Sequence, residues 1–187
     1  EAGVGYMMRE GFDLPPLMFT RDEIVALVAG ARMVRAFGGA AMARAADEAL
    51  VKIGAVLPDS EKDRIARTEI HTPMWVVSDA AREAIDLIER AVEKRQVLTI
   101  DYRDEAGRGT GRDIRPLGLW FWGKVWTLVA WCEMRSDFRA FRIDRIASVV
   151  IAGRIFKPER GKQLADFYRA VERSENYGMA PDRAGRT

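Results

Sequence analysis

The texture of the chain changes at Gln96. Before it the apolar residues recur at helical spacing. After it come five short runs rich in β-branched and aromatic residues, at 97–103, 113–121, 125–133, 138–143 and 148–151. Turn-forming stretches at 104–111 and at Ser136-Asp137 separate them. Strands this short cannot each bury a face alone, and five at this spacing predict one small barrel or curled sheet. The fold class expected is therefore α+β, a helical module followed by a small five-stranded barrel with flanking helices.

The helical part has clear punctuation. Thr20-Arg21-Asp22-Glu23 fits a capping box, with Phe19 and Ile24 placed as a hydrophobic staple. Ile24, Leu27, Val28 and Ala31 keep the 3.6 period until Gly38-Gly39 ends the helix. A second helix over about 40–56 carries Met42, Ala45, Ala46, Ala49, Leu50 and Ile53 on one face, and its small residues suit close helix pairing. Leu57-Pro58-Asp59 breaks it, and a short helix is expected at 60–67. Residues 70–77 read as a kinked strand, then Ser78 caps a helix of about 79–95 with Ala81, Ile85, Ile88 and Val92 inward. A last helix at about 161–172 turns Leu164, Phe167, Tyr168 and Val171 inward, and the polar tail from Glu175 is expected to fray. At the other end, residues 3–8 read as a strand, and Leu14-Pro15-Pro16-Leu17 as a linker.

Composition excludes several function classes. One cysteine, Cys132, forbids an internal disulfide, and with a single histidine, His71, a His/Cys metal site is disfavoured. No apolar run approaches the roughly 20 residues that span a bilayer, and a cytoplasmic setting is the expectation. Thirty basic against 28 acidic residues give a net charge of only +2, so charge alone names no nucleic-acid partner. Catalytic candidates are weak. His71 lacks a paired Cys or Asp, Cys132 lies in an apolar strand without a local base, and the carboxylates are scattered. Gly107-Arg108-Gly109-Thr110-Gly111 lacks dinucleotide-fingerprint spacing and precedes a strand, so it reads as a hairpin loop. No cofactor and no enzymatic activity are expected.

Residues 112–145 stand apart. They hold seven of the basic residues against four acidic ones, four of the five tryptophans (Trp120, Trp122, Trp126, Trp131), and Phe121, Phe138 and Phe141. Interleaved arginines and rings suit a single-stranded nucleic acid or a phosphorylated small ligand, because guanidinium forks pair with phosphate and rings stack on bases. The same pattern also suits a strand core with arginines braced by neighbouring carboxylates.

Three stretches carry a family resemblance. Arg112-Asp113-Ile114-Arg115-Pro116-Leu117-Gly118-Leu119, Trp126-Thr127-Leu128-Val129-Ala130-Trp131-Cys132, and Arg135 to Ile146 with its core Phe138-Arg139-Ala140-Phe141-Arg142-Ile143-Asp144-Arg145 together resemble the WYL domain of transcriptional regulators. The name-giving Trp-Tyr-Leu is here Trp126-Thr127-Leu128, and on a strand Thr127 faces away from its two neighbours.

The resemblance implies an SH3/Sm-like β-barrel at 70–156 and a helical linker or dimerisation module at 20–69. It also implies the end of a winged-helix wing at 1–19 and a C-terminal helix and tail at 157–187. A DNA-binding winged helix-turn-helix head is expected to precede residue 1. The implied role is the effector-sensing region of such a regulator, a homodimer that binds DNA through the head. Its barrel is expected to take single-stranded nucleic acid or a nucleotide-like anion; a structural dimerisation module is the alternative. The implied ligand-binding residues are Tyr102, Arg112, Trp126, Arg135, Arg139, Arg142 and Arg145. Period two sends Arg139 and Arg142 to opposite faces of a regular strand, and Arg145 could instead brace against Asp144 or Asp101.

Overall fold

The computed structural model describes residues 18–60, 62 and 77–173. Expectations for 3–8, 14–17, 60–67, 70–76, His71 and the tail lie largely or wholly outside these. Nine elements are bounded by described residues: α1 (Arg21–Phe37), α2 (Ala40–Val56), α3 (Asp79–Glu93), β1 (Gln96–Arg103), β2 (Gly109–Phe121), β3 (Trp126–Cys132), β4 (Asp137–Arg142), β5 (Ile146–Ile155) and α4 (Leu164–Arg173). A single 3-10 turn, Ile143–Arg145, joins β4 to β5.

Local chemistry sets the helix starts. The Thr20 backbone N–H donates to Glu23 Oε2 at 2.7 Å, and the Glu23 N–H donates back to Thr20 Oγ1 at 3.4 Å, closing the capping box. Ser78 Oγ accepts from the Ala81 N–H at 3.2 Å. Gly39, at the N-cap of α2, has no side-chain oxygen to do the same.

The strands form one antiparallel sheet in the order β4-β3-β2-β1-β5. β4 and β5 are its edges and share no ladder, so the closed barrel expected from the sequence is not formed. The sheet is nevertheless rolled. In a flat sheet β4 and β1 would lie roughly 14 Å apart, at about 4.8 Å per strand. The rings of Tyr102 on β1 and Phe141 on β4 meet edge to face at 5.1 Å. Register shifts between Pro116 and Gly118, and at both ends of the β1–β5 pairing, supply irregularities that increase local twist.

Rolling gives the sheet a concave face and a convex one. On the concave side Leu98, Ile100, Ile114, Leu128, Ala130, Cys132 and Phe141 pack with Ile85, Ile88 and Ala91 of α3 into the main core. On the convex side Val129 and Phe138 pack under Phe167 of α4, with Trp120, Trp131 and Leu164 around them. The inner face read for α4 is only partly right, because Tyr168 remains 40% exposed. The expected strand starts also shift. β2 begins at Gly109, inside the stretch read as a loop, because Gly109 to Ile114 pair with β1. The turn itself is then 104–108, with Gly107 at φ +77° where a side chain would be strained.

Among the described residues the α1–α2 hairpin packs mainly on itself. No residue of either helix belongs to the two core clusters. Met33, Val51 and Val56 are exposed hydrophobics on it. No described helix is long and apolar enough to cross a membrane.

On α3, Glu89 follows the buried Asp86 by three residues. Burial first, and then the Asp86 charge, raise the pKa of its carboxyl. A raised carboxyl contributes stability below its unfolded value that is lost as pH rises through the folded value. Glu89→Gln is therefore expected to be stabilising at pH 7 by a few tenths of a kcal/mol, on the order of a like-charge helical pair. The gain should vanish near pH 4, as urea denaturation at the two pH values will show.

Candidate functional site

The register places each sequence-predicted site residue. Leu98, Ile100 and Tyr102 share a face of β1, and their partners on β2 are Ile114, Arg112 and Thr110. Arg112 and Tyr102 therefore look into the concave side, at the end of the roll where the β1–β2 turn lies. The Arg112 guanidinium carbon stands 5.9 Å from the centroid of the Phe141 ring, while Tyr102 meets the same ring edge-on. Arg112 Nε donates to Thr110 Oγ1 at 3.0 Å. Among the described residues it has no carboxylate within ion-pair distance, which leaves most of its fork for a ligand.

Arg139 is opposite Ala130, and Phe141 is opposite Leu128, so Arg139 joins the concave side. It is held by Asp137 and donates to the Phe138 carbonyl at 2.8 Å. Arg142 is opposite Thr127 and lies on the convex side, where Nε and one terminal nitrogen fork onto Asp144 at 3.0 and 2.8 Å. The period-two argument thus separates the two arginines as the ladder does. Asp144 is held below its usual range first by that hydrogen bond from Arg142.

Arg145 braces neither Asp144 nor Asp101. It reaches Glu105 in the β1–β2 turn at 3.3 Å. Asp101 instead accepts from Ser148 Oγ at 2.6 Å. Arg135 is exposed in the β3–β4 turn, at the same end of the sheet as the β1–β2 turn.

Trp126 is elsewhere. It opens β3 at the opposite end, and its indole N–H donates to the Phe37 carbonyl at 2.6 Å. Its ring lies 5.1 Å from Phe121, which in turn lies 4.8 Å from Phe37. Trp126 ties the helical hairpin to the sheet, two residues from Leu128, the ladder partner of Phe141. The mouth itself is Tyr102, Arg112 and Phe141, with Arg139 two residues along β4 on the same face and Arg145 held on Glu105 of the adjoining turn; nothing among the described residues ties the exposed Arg135 to it.

Phe141 is the mouth residue that sequence alone does not single out. In the sequence it is one of several aromatics, and only the roll of the sheet makes it the platform for Arg112. The mouth brings together no nucleophile–base pair among the described residues. Among the described residues no cluster of His, Cys, Asp and Glu could hold a metal.

The WYL domain model matches residues 83–151.

The WYL match begins within α3 and ends within β5, a little over a third of the chain, and contains every mouth residue. The helical hairpin and α4 lie outside it. Among solved structures, proteasome accessory factor B/C (PafBC) of Arthrobacter aurescens is similar at 23% identity and a TM-score of 0.41. That likeness covers 76% of this chain, which spans 22% of the other protein.

A second charged array braces the convex side of the WYL region. Arg154 on β5 binds Asp113 at 2.6 Å and Glu133 at 2.9 Å. Arg115 bridges Glu133 at 3.0 Å and also binds Glu159. Hydrogen bonding from Arg154 is the leading cause that holds Glu133 below its usual range, and the Thr99 hydroxyl does the same for Asp113. Carboxyls depressed in the folded state stabilise above their unfolded values, and that stability is lost as pH falls through the folded ones. The expected result is that Arg154→Ala melts below the parent at pH 7. The gap should close as pH falls below about 4.3, the ordinary glutamate value. Thermal melts from pH 7 to 3.5 check it, and a constant gap would exclude the network as its source.

Proposed function

We propose that this chain is the effector-sensing region of a DNA-binding transcriptional regulator, and that the concave mouth of its WYL region takes an anionic, nucleotide-like ligand or a short single strand of nucleic acid. One observation carries the reading. Arg112 lies over the Phe141 ring beside Tyr102, without a carboxylate partner among the described residues. Such a cation supplies directed donors for a phosphate, and the half-buried Tyr102 ring beside it supplies a face on which a base stacks. Arg145, which reaches Glu105 at 3.3 Å, can be recruited to a further phosphate by exchanging partners. Arg142, on the convex side, is outside this reading, and Trp126 belongs to the scaffold.

Fluorescence anisotropy of a labelled eight-residue oligo-dT, titrated at 50 and 200 mM salt, tests the proposal. Affinity is expected to fall with salt, by a log–log slope of about −0.7 for each phosphate contact. Arg112→Ala should weaken binding about tenfold or more, the worth of one charged hydrogen bond. Arg142→Ala should stay within twofold. Absence of binding, or equal losses in the two variants, would remove the proposal.

A second reading, a dimerisation module, is favoured by the apolar exposure of α2, where Val51 and Val56 are 72% and 82% exposed. The two readings are compatible, since a homodimeric sensor needs both surfaces. DNA binding would then belong to a head domain outside this sequence. Light scattering of the parent and of Val51→Glu/Val56→Glu decides the oligomeric part, and a parent that runs as a monomer rejects it.

A further inference from the structure

The Gly38-Gly39 turn between α1 and α2, which reads in sequence as the end of a helix, is gripped by three side chains. Arg82 of α3 donates to the carbonyls of Arg35, Ala36 and Gly38 at 3.2, 2.7 and 2.7 Å, satisfying the orphan acceptors at the end of α1. One helical turn along the same face, Asp86 accepts from the Ala41 N–H at 2.9 Å and so caps α2 in place of the missing side chain of Gly39. From the sheet, the Trp126 indole N–H takes the Phe37 carbonyl.

Opposite charges four residues apart on α3 thus match the opposite dipole ends of two helices. A Cβ on Gly39 would collide with Asp86 Oδ1, so the glycine is there for close approach and not for a hinge conformation: its φ of −62° is open to any residue. Among the described residues the hairpin contributes nothing to either core cluster, and these three grips, with the Phe37–Phe121 ring contact, tie it to α3 and the sheet.

We propose that the turn is a locked joint, and that the hairpin follows α3 and β3 as a rigid lever. Resting on the sensing role proposed above, occupancy of the mouth is passed to that lever. The gripping groups border the packing that surrounds Phe141. Leu128, its partner across the ladder, is two residues from Trp126 on the same face, and Ile85 and Ile88 in the same core flank Asp86 on α3. A ligand that displaces Phe141 shifts both grips together, and it acts only by favouring one lever position over another.

Spin labels at Lys52→Cys on α2 and Lys157→Cys beyond β5, with the buried Cys132 left in place, report the lever by double electron–electron resonance on the full chain. Without ligand the parent should give one narrow distance distribution. Arg82→Leu should at least double its width, and the milder Trp126→Phe, which keeps the ring and loses only the donor, should broaden it visibly. Equal widths in all three would overturn the joint. Saturating oligo-dT should then shift the mean distance in the parent and not in Arg82→Leu, with oligonucleotide affinity in that variant within twofold of the parent. Binding without any shift in the parent would overturn the transmission. Failure of the oligonucleotide to bind would sink the sensing role, while the ligand-free widths still decide whether the turn is locked.

Discussion

Gly39→Ala is expected to destabilise the chain by about 1–3 kcal/mol, the usual cost of forcing extra volume into a packed site. Melting should fall by about 2–4 °C for each kcal/mol in a chain of this size. The backbone tolerates alanine at φ −62°, so the effect is steric. The new methyl would also meet Asp86 Cγ at 2.9 Å and Ile85 Cγ2 at 3.2 Å. Neither yields cheaply, since Asp86 is held by the α2 N-terminus and Ile85 is fully buried. Gly30 and Gly54 provide the control. Both sit inside helices with no atom of a described residue within 4 Å of the point where a methyl would stand, so alanine there should raise stability by about 0.5–1 kcal/mol each. Thermal melts of the three variants will separate in sign. A neutral Gly39→Ala would mean that Asp86 does not approach the turn as described.

Phe141→Ala is expected to cost about 3–5 kcal/mol, the range for truncating a buried aromatic. Phe141 is 2% exposed and sits where the curled β4 edge of the sheet meets Tyr102 of β1. Against a total stability of about 5–15 kcal/mol for an ordinary domain, the loss leaves a marginal fold. Urea denaturation should show a midpoint well below the parent's, with a slope that remains near it if only stability changes. Phe141→Leu keeps most of the volume and should cost about 1–2 kcal/mol. It removes the ring face under Arg112, worth about 0.5–1 kcal/mol at an accessible site. The leucine variant should therefore fold and bind oligo-dT several-fold more weakly than the parent. Full-strength binding would show that the ring does not serve as a platform.

Local rules carried much of the fold. Thr20 and Glu23 mark the start of α1 because both partners of the capping box lie within one turn. Ile85 and Ile88 mark the inner face of α3 because helical spacing is a property of neighbours. The five runs after Gln96 are the five strands, with ends moved by pairing. What was illegible depends on residues distant in sequence. Whether the sheet closes is decided by bulges and by how far β4 curls toward β1, and no spacing in the chain encodes the Tyr102–Phe141 contact. The site shows the same division. Strand parity correctly parted Arg139 from Arg142, but Arg145 found Glu105, forty residues away, in preference to the nearer Asp144. Trp126 fell among ligand candidates because of its place in the motif, whereas its indole serves the turn after α1. Arg82 and Asp86 carried no signal at all, being two more charges on an amphipathic helix.

The most direct test watches the arginines themselves. Nε–Hε resonances of Arg112, Arg139 and Arg142, assigned by single substitution, can be followed by NMR as oligo-dT is added at low salt. The Arg112 signal is expected to move in proportion to occupancy, together with the Tyr102 ring resonances, while Arg142 stays fixed on Asp144. Movement of Arg142 with Arg112 at rest would place the ligand on the convex face and contradict a concave sensing mouth.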